Sequence, residues 1–173
     1  VFQKIDWYDE IQISPNDSGQ IQLQGDLSGV AIEHNLAHRA ASALKAYAQT
    51  QGTDTAHLGA DIRLQKNIPT GAGLGGGSSN AATALTALNQ LWQLNFDNPT
   101  LQTIGLQLGA DVPFFVSPYP SAFAQGIGVS GGHGSGTGID ADAVLEEHAD
   151  VVWQPLLEPV GGGGGAEVRA VVD

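Results

Sequence analysis

Cysteine is absent from the 173 residues, and so is methionine. Without cysteine the chain has no disulfide, no thiol nucleophile and no zinc–thiolate centre. Cations are nearly as scarce: six Lys and Arg face eighteen Asp and Glu, for a net charge of −12. A nucleic-acid backbone is bound through a basic surface, so no nucleic-acid partner is expected. No run approaches the ~18 apolar residues of a membrane helix, and no signal-peptide pattern is present. A soluble, cytoplasmic protein with no membrane association is therefore expected. Aromatics are few, at 6%, but apolar residues reach 42%, enough for a globular domain with a real core.

Glycine is what the chain has in quantity, with 24 residues. The densest functional stretch is Pro69-Thr70-Gly71-Ala72-Gly73-Leu74-Gly75-Gly76-Gly77-Ser78-Ser79-Asn80-Ala81-Ala82. It is a glycine-rich loop running into an alanine-rich helix. Glycine lets the backbone turn tightly and come close to a ligand. Ser78 or Ser79 is expected to cap the helix, whose free N–H groups and positive dipole end suit a phosphate. Gly71-x-Gly73-x-x-Gly76 formally fits a dinucleotide fingerprint. The preceding Gln65-Lys66-Asn67-Ile68-Pro69 is polar and ends in proline, however, and no second strand with a closing acid follows. A Walker loop would end Gly-Lys-Ser/Thr, and Gly77-Ser78-Ser79 has no lysine. What remains is a lysine-free loop that holds phosphates by backbone amides and the helix end, with serine hydroxyls near the metal.

Around the loop, alternation about Ile11 and Ile13 (Glu10 to Ser14) and about Ile21 and Leu23 (Ile21 to Gln24) predicts two antiparallel strands joined by the turn Pro15–Gly19. Asn35 to Gln49 predicts a helix with Leu36, Ala40, Leu44 and Tyr47 on one face. Asn35 by itself reads as its cap. His34 and His38 are four apart, but no third ligand stands near, so no metal site is expected. Ala60 to Gln65 is a strand leading to the loop. Ser78 to Trp92 is a helix turning Ala81, Ala82, Leu85, Leu88 and Leu91 or Trp92 inward. Pro99 to Leu108 is a further helix, with proline in its first turn and Gly109 as its stop. Phe114 to Val116 and Ala122 to Ala124 read as strands. Asp111, just before Val112-Pro113, reads on the bare residues as a local turn or cap carboxylate.

The loop resembles the ATP loop of the GHMP kinases, which include galactokinase, homoserine kinase and mevalonate kinase. The run GAGLGGGSSNAA, then LTALNQLW, then Leu108-Gly109-Ala110-Asp111-Val112-Pro113-Phe114-Phe115, is similar to one branch, the 4-diphosphocytidyl-2-C-methyl-D-erythritol kinases. Val1 to Asp6, Asn35-Leu36 with Arg39-Ala40-Ala41, and Ala122 to Gly128 fit the same pattern in order. The resemblance covers about residues 1–128.

It implies an α+β fold, a two-layer sandwich of a mostly antiparallel sheet and helices, with the second lobe missing or divergent. It implies ATP and Mg²⁺ as cofactors and a small-molecule alcohol as substrate, namely the 2-hydroxyl of 4-diphosphocytidyl-2-C-methyl-D-erythritol. ATP would be held by Asn35 against the adenine, by Lys66, and by Pro69, Gly71, Ala72, Gly73, Leu74, Gly75, Gly76, Gly77, Ser78 and Ser79. Asp111 would be the base. The alternatives are another GHMP small-molecule kinase and a non-catalytic nucleotide-binding fragment. The family's Pro-x-Lys-x-Asn strand and Gly-Tyr-His segment would lie before Val1, so a partial chain of weak or no activity is expected. Residues 129–173 form a separate, glycine-rich tail: Ser130 to Gly138 is mostly glycine, serine and histidine, Ala141 to Ala149 fits a short acidic helix, and Gly161 to Gly165 is linker-like. Oligomeric state is not readable from the sequence.

Overall fold

The computed structural model describes residues 2–27 and 29–118, with the strand segments Ser121–Ala122 and Val168–Val171. In chain order the elements are β1 (Phe2–Gln3), β2 (Glu10–Asn16), β3 (Ile21–Gly25), α1 (Leu36–Thr50), β4 (Gly59–Gln65), α2 (Gly76–Leu91), α3 (Asn98–Leu106), α4 (Val112–Val116), β5 (Ser121–Ala122) and β6 (Val168–Val171). A four-stranded sheet has the order β3-β4-β2-β6, and β1 pairs with β5 in a separate two-stranded ribbon. β2 is antiparallel to β4 and to β6, whereas β3 is parallel to β4. The sheet is thus mostly antiparallel, and helices lie on one face of it, as an α+β domain of this class requires.

Alternation along the strands produces the two faces. Ile11, Ile13, Leu23, Ile62 and Leu64 point inward and are buried. Ile11 lies opposite Leu64 and Ile13 opposite Ile62 across the β2–β4 pair. Gln12, Ser14, Gln22, Gln24, Asp61 and Arg63 form the outer face. Against the inner face α1 buries Ala37, Ala40, Ala41, Leu44 and Ala48, and α2 buries Ala81, Ala82, Ala84, Leu85, Ala87 and Leu88. The small side chains allow the helices to approach closely, and the leucines fill the layer between helix and sheet. Trp92 closes this core, its indole N–H donating to Gly59 O at 3.1 Å.

Three expectations need correction. β2 and β3 are not a hairpin, because β4 lies between them. Asn16 accepts from Ser18 N at 3.0 Å and Gly19 has φ +69°, so the chain does reverse where the sequence predicts a turn. The two strands, however, leave that turn one strand-width apart, and Ala60 N donates to Gln20 O in the gap at 2.9 Å. Alternation marks a half-buried strand without naming its neighbour. Second, Phe114 to Val116 is helical, in α4, with Pro113 in the first turn. A short apolar run is compatible with strand or helix, and here proline favours the helix start. Third, α2 begins at Gly76 with Gly75 as its N-cap, so neither Ser78 nor Ser79 caps it. Of the strand expected over Ala122 to Ala124, Ala122 lies in β5; Phe123 and Ala124 fall outside the described residues, as does the tail after Gly128 apart from β6.

Candidate nucleotide and phosphoryl-transfer site

The glycine loop joins β4 to α2 and forms one wall of a cleft of about 310 Å³. Gly73 and Gly75 both have φ +72°, a left-handed conformation that side-chain-bearing residues avoid. At Gly75 a Cβ would also meet the Phe115 ring at 2.9 Å. The left-handed turn at Gly75 starts the helix without a side-chain cap. The first N–H groups of α2 therefore remain available to a ligand at the positive end of the helix dipole.

The structure brings nearly all the expected binding residues to this cleft. Pro69 through Ser78 line it, with Asn35 and Lys66. Ser79 does not; it is buried one residue deeper in α2. Leu27, Val30, Leu36 and Leu64 supply an apolar end, with His34 beside them. His34 belongs to a 3₁₀ turn (Ile32–His34) and His38 to α1, and no cluster of three metal-ligating side chains exists among the described residues. Asn35 is the N-cap of α1, its Oδ1 accepting from Ala37 N at 3.0 Å. Its Nδ2 is left to face other partners.

Lys66 is paired: its ammonium donates to the Asp9 carboxylate. Sequence reasoning missed Asp9, which sits in an unremarkable Tyr-Asp-Glu stretch before β2. Its side chain is fully buried. Burial opposes its charge, but the Lys66 ammonium, the backbone N–H groups of Ile68 and Asn67 and the Asn80 amide together hold its pKa below the ordinary 3.8. Asn80 was missed too, though it lines the cleft.

Asp111 stands at the N-cap position of α4 but makes no side-chain cap bond. The residue is half-buried, and its carboxylate is not spent on the local turn. It is not in the cleft wall, yet its segment adjoins the loop. A Cβ on Gly109 would lie 3.8 Å from Ser78 Oγ, and Phe115 underlies Gly75. Val112 is fully buried, its methyl 2.8 Å from where a Cβ on Gly105 would be. At the other end of α4 Lys4 donates to Ser117 O at 2.9 Å and lies 5.5 Å from the Phe114 ring centroid. Burial pulls the Lys4 pKa down to about 8.

Residues 35–118 match the family model of the GHMP kinases N terminal domain. The chain carries a GHMP kinase N-terminal domain. Over 128 residues, 74% of its length, it is 51% identical to the 4-diphosphocytidyl-2-C-methyl-D-erythritol kinase of Aliivibrio fischeri and 52% identical to that of Methylococcus capsulatus. The match spans 42% of each of these GHMP relatives. A crystal structure of 4-(cytidine 5'-diphospho)-2C-methyl-D-erythritol kinase aligns at 42% identity and a TM-score of 0.49, covering 62% of this chain and 35% of that one. No helix among the described residues is long and apolar enough to cross a membrane.

Proposed function

We propose that this GHMP domain binds ATP and belongs to a kinase that phosphorylates the 2-hydroxyl of 4-diphosphocytidyl-2-C-methyl-D-erythritol, a step of non-mevalonate isoprenoid precursor synthesis in the cytoplasm. The observation that carries the nucleotide reading is the convergence in one cleft of an apolar end, a glycine loop and an uncapped helix start. A planar base suits Leu27, Val30 and Leu36, with the Asn35 Nδ2 at its edge. The phosphates suit the N–H groups of the loop and of the first turn of α2, with Lys66 as the cation in the cleft wall. The substrate rests on the two relatives, both 4-diphosphocytidyl-2-C-methyl-D-erythritol kinases.

Phosphoryl transfer is mostly positioning and charge stabilisation. The substrate hydroxyl oxygen forms a bond to the γ-phosphorus, the bond from that phosphorus to the β-bridging oxygen breaks, and ADP leaves. The hydroxyl proton passes to the Asp111 carboxylate, which makes no cap bond and stands on a segment whose Gly109 and Phe115 adjoin the loop. The residues fit Mg²⁺ through Ser78, which lines the cleft, rather than through buried Ser79. When bound there, the ion would supply charge neutralisation on the phosphates.

The test is an ADP-release assay of the protein with 4-diphosphocytidyl-2-C-methyl-D-erythritol, homoserine, mevalonate and galactose in parallel, alongside ATP titration. Turnover with the first alcohol alone supports the proposal. Turnover only with another alcohol moves the chain to a different GHMP substrate. ATP binding without turnover on any alcohol identifies a nucleotide-binding fragment.

A further inference from the structure

Asp9 is a buried carboxylate that the phosphoryl-transfer scheme leaves without a role. It lies before β2, far in sequence from the loop, and contributes nothing to the cleft wall. Its Oδ1 accepts from Asn67 N at 2.7 Å and from Ile68 N at 2.8 Å, the two residues that lead into Pro69. Its Oδ2 accepts from Asn80 Nδ2 at 2.8 Å and from the Lys66 ammonium. Asn67 and Ile68 stand where the chain enters the loop, and Asn80 stands in α2 where it has left. One carboxylate therefore ties both ends of the glycine loop together.

We propose that Asp9 is a positioning residue for the phosphate loop, closing its two ends at one point and aiming Lys66 at the start of α2. This rests on the nucleotide reading of the cleft. Gly71 and Gly73, in the middle of the loop, have little to hold them: a Cβ at either would meet nothing within 4 Å. Without a tie at its ends such a segment would sample many paths, and its N–H groups would not converge on a phosphate. Lys66 has a further need. Its ammonium lies 3.3 Å from where a Cβ on Gly76 would be, beside the first residue of α2. A cation is unfavourable at a helix N-terminus, and Asp9 supplies the opposing charge that keeps it there. An Asp9→Asn side chain has the same shape but presents an NH₂ group where a carboxylate oxygen accepted. A donor then faces donors at one corner of the tie, which costs more than losing one bond.

The experiment compares the whole wild-type protein with Asp9→Asn and Asn80→Ala. Amide hydrogen exchange is measured without nucleotide, and binding of a fluorescent ATP analogue is measured separately. Exchange of the hydrogen-bonded amides at the two ends, Asn67, Ile68, Ser79 and Asn80, should accelerate by about tenfold or more in Asp9→Asn, while β2 and β4 stay within about twofold. Analogue affinity should fall by about tenfold. Asn80→Ala, which removes one donor and leaves the carboxylate, should change the same peptides less. Uniform acceleration through the sheet, or a lowered melting point with wild-type analogue affinity, would show a merely structural carboxylate and overturn the proposal. Should Asp9→Asn not fold, unchanged exchange of these amides in Asn80→Ala overturns it. A wild-type protein that binds no nucleotide sinks the nucleotide reading instead, and the exchange pattern still reports on the tie.

Discussion

Where the chain enters the glycine loop, at Lys66–Ile68, it is held by charge and hydrogen bonds converging on Asp9; where it leaves, at Gly75, it is held by the ring of Phe115 and the packing of α4. The entry depends on ionisation and on three donors, at Lys66, Asn67 and Ile68, while Asn80 in α2 ties the same carboxylate to the exit side. The exit depends on volume and on a left-handed backbone turn. Asp111 belongs to the second side, since its helix is placed by Val112 in the core and by Phe115 against Gly75. The entry of the proposed phosphate cradle is thus fixed by polar contacts, and its exit together with the proposed proton acceptor largely by apolar ones, so the two sides should respond to different perturbations.

The sharpest separation comes from Asp111→Asn. In the active kinase turnover should fall by roughly 10²–10⁴-fold, the usual worth of a positioned acid or base. ATP affinity should hardly move, because Asp111 lies outside the cleft wall. Steady-state kinetics with a separate nucleotide titration reads both. A loss of ATP affinity matching the loss of turnover would merge the two sides.

Next in size is Gly75→Ala. The new residue would have to hold φ near +72°, which costs about 1–2 kcal/mol for an L-residue, and its Cβ would meet Phe115 at 2.9 Å. Together a loss of about 2–4 kcal/mol in urea unfolding is expected. Adding Phe115→Leu should restore the steric part and leave the backbone part. Full rescue by Phe115→Leu would show that the turn itself carries no strain; no rescue would show that the ring is not what confines it.

Much of this arrangement is legible in the sequence, and the exceptions share a cause. The loop, the helix after it and the strand before it are local patterns, and local periodicity found them. β4 as the neighbour of both β2 and β3 is a non-local pairing, and the same alternation serves a hairpin equally well. The helical start at Val112-Pro113 competed with a reading of Phe114 to Val116 as a buried strand, which a five-residue apolar segment cannot settle alone. Gly75 displaced serine as the cap because a left-handed glycine begins the helix three or four residues earlier. Asp9 was invisible for a different reason: its donors lie 57 to 71 residues away, and nothing around it marks burial. Asn35 was legible twice over, as a cap from its residue type and as a cleft residue from the family resemblance.

The polar side should also be sensitive to acid in a way the apolar side is not. The Asp9 carboxyl is held below its ordinary 3.8, so the folded state binds its proton less readily than the unfolded state. Its contribution is present above that value and is lost as pH falls through the lower folded pKa. Unfolding of wild type and Asp9→Asn, followed by urea midpoints between about pH 6 and pH 2, should show a gap that narrows below about pH 4. A gap constant across that range would mean that ionisation of Asp9 does not hold the loop entry.

The smallest effect belongs to the far end of α4, where the apolar side contains one charge. Lys4 has its pKa pulled by burial from 10.5 to about 8. Between these values the unfolded chain binds the proton and the folded one has released it, so stability due to Lys4 rises with pH across the window. Below pH 8 the ammonium is retained in a half-buried place, offset by its bond to Ser117 O and its position over Phe114. Lys4→Met keeps the stem's volume and removes the titration. The difference in urea midpoint between wild type and Lys4→Met should therefore move in favour of wild type from pH 7 to pH 10. Parallel pH curves for the two proteins would place Lys4 in solvent-like surroundings, and would leave the Asp111 side held by shape alone.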